Sequence, residues 1–144
     1  MKVGGSSATY LIGSQAGYSR ELASILHDAT QTDPVFIDNL APSTVKSALW
    51  ELDFADVAQM NSKYLLCPSP PGIRWLIEEQ MKPFGIAPRS ALVHPSSSID
   101  SSALIGEGTS VNRLVSIASG ASIGRHCQVN RNASIGHDCV IEDF

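Results

Sequence analysis

The C-terminal part of this chain repeats with a period of six residues. An aliphatic residue stands at every sixth position from Val93 to Ile141 without a gap, and the residue four positions later is small in nearly every case, from Ser97 to Cys139. Neither an α-helix, with about 3.6 residues per turn, nor a strand, with a period of about 2, gives this spacing. We therefore predict a triangular coil of short strands, in which each strand sends one aliphatic side chain into a continuous apolar column.

The number of repeats sets the size of this coil. The nine aliphatic positions correspond to about three coils of three strands each. Stacked repeats need neighbours on both sides, and the sequence stops at Phe144 within a repeat and without a polar cap. The β-helix is therefore expected to be incomplete at its C-terminal end.

The first half of the chain has a different pattern, and the change falls between Gly85 and Ser90. Short apolar runs predict strands at residues 8–13, 34–38 and 63–67, and helical spacing predicts helices within residues 18–27, 43–60 and 74–81. Alternating strands and helices are typical of a small parallel sheet covered by helices. We predict a Rossmann-like α/β domain over residues 1–88 and a β-helix domain over residues 89–144.

Composition excludes several classes of function. The 144 residues carry a formal net charge of -4 and contain no Lys/Arg-rich block, so nucleic acid is not an expected partner. No apolar run approaches the roughly 20 residues that cross a bilayer. The sequence begins without a secretory core and has an odd number of cysteines, three, which favours a reducing, cytoplasmic location.

Four segments of the C-terminal part follow the order and spacing of a known protein family: "VHPSSSID", "IGEG", "VNRNASIGHDC" and "IEDF". In these segments the chain resembles the hexapeptide-repeat acyltransferases with a left-handed parallel β-helix, and in particular the sugar O- and N-acetyltransferases of the sialic-acid, bacillosamine and perosamine pathways. Left-handed winding is an exception to the usual crossover rule and is inferred from the resemblance alone. The resemblance implies a homotrimer that transfers an acetyl group from acetyl-CoA to an amino or hydroxyl group of a sugar or nucleotide sugar.

The resemblance assigns catalysis to the "IGHDC" segment. His137 is the implied general base, and Asp138 the carboxylate that orients it. An unperturbed histidine is mostly neutral at pH 7, as removal of a proton from an attacking amine or hydroxyl requires. Relatives often carry a second carboxylate immediately before the histidine, where this chain has Gly136. The alternatives are an exposed corner histidine without a role and a solvated acid.

Other residues are candidates for substrate and coenzyme binding. By resemblance Asn130 contacts the coenzyme, although an amide ladder with Asn112, one coil earlier, is an alternative of purely structural kind. The Gly-rich stretch after the first strand could receive a phosphate at a helix N-terminus. The residues that match the nucleotide-sugar site of the family are Gly13, Ser14, Gly17, Tyr18, Asp38 and Arg74. A tight turn, a strand-end cap and a solvated arginine are the alternatives for this set.

Two further readings must be weighed. γ-Class carbonic anhydrases share such a coil and bind zinc through histidines, but His126 and His137 are 11 residues apart, which is not a whole number of coils. His94 belongs to the His-Pro that opens the coil, so no metal site is predicted. The alternative to an enzyme is a truncated relative that binds a nucleotide sugar, or only assembles, without transferring an acetyl group.

Overall fold

The computed structural model describes residues 8–13, 16–37, 58 and 62–144. A four-stranded parallel sheet forms the first half, from β1 (Thr9–Ile12), β2 (Val35–Ile37), β3 (Lys63–Leu66) and β4 (Ala87–Pro88). Its strand order is β2-β1-β3-β4. Every residue of β1 is buried, which explains why this central strand lacks polar alternation. The strands predicted at residues 8–13, 34–38 and 63–67 are confirmed, and β4 was not predicted.

Two helices cover opposite faces of the sheet. Helix α1 (Ser19–Thr30) packs Leu22 and Leu26 against the face that carries Leu11, and α2 (Pro71–Met81) packs Ile77 against the face that carries Tyr10. A proline in the first turn of α2 needs no hydrogen-bond partner there. A 3-10 turn (Lys82–Phe84) follows α2. The helix predicted within residues 43–60 lies outside the described residues, except for Ala58, which is helical.

The second half consists of nine two-residue strands in three parallel sheets. They are β5 (Leu92–Val93), β6 (Ser98–Ile99), β7 (Leu104–Ile105), β8 (Ser110–Val111), β9 (Ser116–Ile117), β10 (Ser122–Ile123), β11 (Gln128–Val129), β12 (Ser134–Ile135) and β13 (Val140–Ile141). Each strand pairs with the strand three positions along the chain, so that Val93 lies beside Val111 and Val111 beside Val129. The described residues contain no helix with the length and apolarity that a membrane span requires.

The predicted apolar column is confirmed. Val111, Ile117 and Ile123 form its buried centre together with the small inward residues Ala121 and Cys127. Every inward position is either aliphatic or small, which lets the three sheets pack closely. The hydroxyls of Ser97 and Thr109, at two of the small positions, donate to the backbone carbonyls of Asn112 and Gly124. The parallel strands and their repeat are consistent with the fold of left-handed β-helix acetyltransferases.

The corners of the coil impose a left-handed backbone conformation. At seven corners the third residue after the inward aliphatic has a φ between 56° and 73°. These residues are Gly108, Leu114, Gly120, His126, Asn132, Asp138 and Phe144. Such a φ is disfavoured for residues with a Cβ atom, so a side chain at a corner is held there by the ladder of hydrogen bonds between coils.

Candidate active site

The corner between β12 and β13 brings together the two predicted catalytic residues. Nδ1 of His137 lies 2.9 Å from a carboxylate oxygen of Asp138. A carboxylate only accepts hydrogen bonds, so this contact selects the neutral tautomer with the proton on Nδ1 and the lone pair on Nε2. The two side chains are 80% and 79% exposed in the single chain. The pair thus has the arrangement of a general base and its orienting carboxylate.

Asp138 takes its position from the backbone beneath it. Its φ is 56°, and its N–H donates to the carbonyl of Ser119 in the preceding coil at 3.0 Å. Its carboxylate lies above Gly120, where a Cβ atom would come within 2.3 Å of Oδ1. Gly120 therefore leaves the space in which the carboxylate reaches His137. Adjacent residues of an ideal strand point to opposite faces, and the left-handed corner removes that obstacle.

A cavity of about 340 Å³ lies between α1 and another edge of the β-helix. One wall of the cavity consists of Tyr18, which precedes α1, and Glu21 of α1. The other wall consists of Asn112, Asn130 and Arg131 of the coils. The two asparagines share this edge, as their separation of one coil predicts. The cavity offers a phenol, two amides and a paired carboxylate to a polar ligand.

Glu21 bridges the two coils at this cavity. Its carboxylate accepts a hydrogen bond from Nδ2 of Asn112 at 3.2 Å and pairs with Arg131 at 3.0 Å. The hydroxyl of Tyr18 lies 3.4 Å from Oγ of Ser110. Burial raises the pKa of Tyr18, so the phenol keeps its proton at neutral pH and can donate a hydrogen bond. No local pattern predicts the Glu21–Arg131 pair, because its two residues are 110 positions apart in the chain.

The turn after β1 requires a positive φ at one glycine. Gly13 has a φ of 80°, and its N–H donates to the carbonyl of Ile37 at 2.8 Å, which joins the carboxyl ends of β1 and β2. Gly17 has open space where a Cβ atom would stand. The candidates Ser14 and Asp38 lie outside the described residues.

Arg74 lies between the sheet and the β-helix, not at the open cavity. It is only 4% exposed. Its Nε donates to the carbonyl of His126 and its Nη1 to the carbonyl of Pro68, both at 2.9 Å, while the remaining donors reach the carbonyls of Ser69 and Phe144. Burial lowers the pKa of this guanidinium. The alternative of a solvated arginine is wrong for this residue, whose donors face backbone oxygens.

A buried polar cluster next to Arg74 was not predicted. The ring of His126, 1% exposed, stacks between Tyr64 at 5.7 Å and Phe144 at 5.3 Å between centroids. Its Nε2 lies 3.2 Å from a carboxylate oxygen of Glu78, which also pairs with Arg125. Burial lowers the pKa of His126, which keeps the imidazole neutral. Glu78 stands beside Glu79 in the sequence, and no local pattern indicates which of the two acids is buried.

The three histidines of the β-helix have separate partners. His94 lies 3.0 Å from Asp28 of α1, His126 faces Glu78 and His137 faces Asp138. Among the described residues, no group of three or more metal-ligating side chains converges. His94 and His126 thus join the β-helix to the α/β half, and His137 is the one that faces solvent.

His137 and the cavity lie on different corners of the coil. Asn130 follows β11 and His137 follows β12, and these strands belong to different sheets. Consequently one chain does not bring His137 to Tyr18. A site that uses both would combine corners of two neighbouring chains.

Neither a family model nor a curated protein matches this sequence. Solved structures do match its fold. The acetyltransferase domain of PglB from Neisseria gonorrhoeae has a TM-score of 0.76 at 22% identity, over 96% of this chain and 69% of that chain. PerB from Caulobacter crescentus, in complex with CoA and GDP-perosamine, has a TM-score of 0.80 at 19% identity, over 96% of this chain and 66% of that chain.

A further structure of the PglB domain, in complex with acetyl coenzyme A, has a TM-score of 0.75 at 20% identity, over 96% of this chain and 68% of that chain. The chain thus spans about two thirds of the length of these proteins. At these identities the likeness is one of fold. The predicted resemblance to sugar acetyltransferases is confirmed at that level.

Proposed function

We propose that this chain is an acetyltransferase that transfers the acetyl group of acetyl-CoA to an amino group of a sugar or nucleotide sugar. The observation that carries the proposal is the hydrogen-bonded His137–Asp138 pair on an exposed corner of the β-helix. The fold supports it, because the matching solved structures include a perosamine N-acetyltransferase and an acetyltransferase domain that was solved with acetyl coenzyme A. A sugar hydroxyl remains a possible acceptor by the same chemistry.

In this proposal His137 is the general base. Its Nε2 removes a proton from the amine as the nitrogen attacks the thioester carbonyl. The C–S bond then breaks, and the imidazolium returns the proton to the leaving sulfur, so that coenzyme A leaves as the thiol. Asp138 holds the ring in the tautomer with a free Nε2 and stabilises the imidazolium that forms. Such a base needs only to be neutral and within hydrogen-bond reach of the amine, and the exposed corner leaves Nε2 accessible.

The cavity between α1 and the coils is the proposed meeting place of the two substrates. Tyr18 is the proposed contact to the sugar and Asn130 to the coenzyme, and both line this one cavity. Gly13 and Gly17, with Ser14 and Asp38, are proposed to hold the nucleotide at the carboxyl ends of β1 and β2, where open α/β sheets bind ligands. The donors of Arg74 are engaged by four backbone carbonyls between the sheet and the β-helix, so we propose that Arg74 positions these segments and does not itself contact the substrate.

A homotrimer is part of the proposal, because His137 and this cavity lie on different corners. The corner of one chain would complete the cavity of its neighbour, as closed cyclic assemblies allow. We expect a trimer in light scattering, and a monomer at micromolar concentration would reject the shared site. The proposed location is the cytoplasm, in agreement with the free thiols of Cys67, Cys127 and Cys139.

The direct test is release of coenzyme A thiol from acetyl-CoA in the presence of UDP- and GDP-linked amino sugars. We expect release that depends on the acceptor and saturates with it. Release that is the same with and without any acceptor of the panel would reject acetyl transfer to a sugar amine.

The second candidate is a protein that binds a nucleotide sugar without catalysis. The observation that favours it is Gly136, which leaves the histidine with one carboxylate partner where relatives often have two. Calorimetric titration separates the candidates. Binding of a nucleotide sugar without acceptor-dependent release of thiol would establish the second and reject the first.

A further inference from the structure

A second cavity, of about 360 Å³, lies at the amino ends of the parallel strands, whereas the proposed nucleotide site lies at their carboxyl ends. Lys63 begins β3 and pairs with Thr9 at the start of β1. The turn at Gly13 follows the other end of β1. Because the strands are parallel, the two places are separated by the length of the strands. A ligand bound here is therefore distinct from a nucleotide held at the turn after β1.

The charges in this cavity are uncompensated. Lys63 and Arg89 line it together with Ser90, and Glu107 of the first coil contributes the one carboxylate. In the described part of the chain no carboxylate lies within ion-pair distance of Lys63 or Arg89, Glu107 included. The cavity therefore carries an excess of one positive charge.

Arg89 is the most informative of these groups. Its guanidinium is half-buried, and its single hydrogen bond in the described residues is from Nη1 to Oγ1 of Thr9 at 3.1 Å. Its Nε is buried without a partner. Burial without a counter-charge lowers the pKa of Arg89. A half-buried cation of this kind is stabilised by any anion that reaches it, and guanidinium matches carboxylate and phosphate geometry.

Glu107 and Ser90 narrow the chemistry of the ligand. A bare dianion would face the carboxylate of Glu107, whereas a ligand with hydroxyl groups would donate to it while its anionic end lies on Arg89 and Lys63. The volume of about 360 Å³ accommodates a small metabolite.

We propose that this cavity binds a small hydroxylated oxyanion, with Arg89 and Lys63 on the anionic group and Glu107 on a hydroxyl. The oxyanion is a phosphate monoester or a carboxylate, two sources that share this chemistry. Lys63 and Glu107 are exposed, so both can be changed without disturbing the core.

The test is calorimetric titration of the full chain at low ionic strength with glycerol 3-phosphate and with glycerate, two ligands that share a vicinal diol and carry a phosphate monoester and a carboxylate, respectively. We expect one of them to bind, and the tighter one identifies the source. Lys63→Gln should weaken binding by about three- to tenfold, as expected for loss of one partly screened charge. Absence of heat with both ligands would overturn the proposal.

Two further variants make the result specific. Arg20→Gln removes one exposed positive charge from α1 and should leave the affinity for the ligand unchanged. An equal loss of affinity in Arg20→Gln and Lys63→Gln would show that only the net charge of the chain matters, and it would overturn the proposal. Glu107→Gln should tighten binding of inorganic phosphate, which has no need of that acceptor, by about threefold or more. A weaker or unchanged affinity of this variant for phosphate would place the anion elsewhere.

Discussion

Gly108 should be required for the joint between the α/β half and the β-helix, because the ring of His126 packs against its Cα atom. A Cβ atom at Gly108 would lie 2.2 Å from Nδ1 and 2.4 Å from Cε1 of His126. That ring cannot easily move, since Tyr64 and Phe144 stack on its two faces. Gly108→Ala should therefore lower the free energy of unfolding for two reasons: the new Cβ atom overlaps the ring of His126, and alanine disfavours the positive φ of this residue.

Two other glycines separate these contributions. Gly85 has a φ of 65° and open space for a Cβ atom, so Gly85→Ala measures the backbone cost alone, about 1 kcal/mol. Gly72 has open space and no positive φ, so Gly72→Ala should be neutral or slightly stabilising. Forcing extra atoms into a packed core costs about 1–3 kcal/mol. The free energy of unfolding should thus fall by about 2–4 kcal/mol in Gly108→Ala.

Urea denaturation at one fixed protein concentration measures all three variants, since assembly adds to apparent stability. The double variant with His126→Asn supplies the decisive comparison, because asparagine tolerates the left-handed corner and lacks the ring. In that background Gly108→Ala should cost no more than Gly85→Ala. If Gly108→Ala and Gly85→Ala lower stability equally in the otherwise unchanged chain, the packing of His126 on Gly108 is refuted.

Two other predictions concern the same side chains and the proposed catalytic corner. Burial lowers the pKa of His126, so the unfolded chain binds a proton at this residue more readily than the folded chain does. The free energy of unfolding should therefore be highest above about pH 7 and should fall as the pH drops through the ordinary histidine range near 6.5. The charged groups that face His126 are Glu78, Arg125 and Asp143. His126→Asn should lose this part of the pH dependence in urea denaturation, and an equal slope in both proteins would contradict the burial argument. Gly120→Ala should displace the carboxylate of Asp138 from His137 and lower acetyl transfer by about tenfold to hundredfold, while stability falls only by about 1 kcal/mol. Full turnover in Gly120→Ala would show that the position of Asp138 does not matter.

The column of the β-helix could be predicted from the sequence because it depends on single residues at a fixed period. Val111 and Ile117 point inward for the same local reason, and the place of each strand follows from counting. The two asparagines of the cavity could likewise be placed on one edge, since one coil separates them.

The joint could not be predicted in the same way. His126 and Glu78 are 48 residues apart, and Arg74 and Phe144 are 70 apart. Their contact depends on how α2 packs against the third coil, which no local pattern encodes. Arg74 could be matched to a family position from the sequence, but the backbone carbonyls that its guanidinium contacts could not be predicted, because they also depend on this packing.

The role of His137 is tested most directly by acceptor-dependent turnover of acetyl-CoA in His137→Gln beside the unchanged protein. His27→Gln is the matched control, because His27 is also an exposed histidine with an aspartate partner, Asp33, at 3.0 Å. We expect a loss of about a hundredfold or more in His137→Gln, the range for removal of a general base, and no loss in His27→Gln. Equal turnover by His137→Gln and the unchanged protein would show that His137 is not the base.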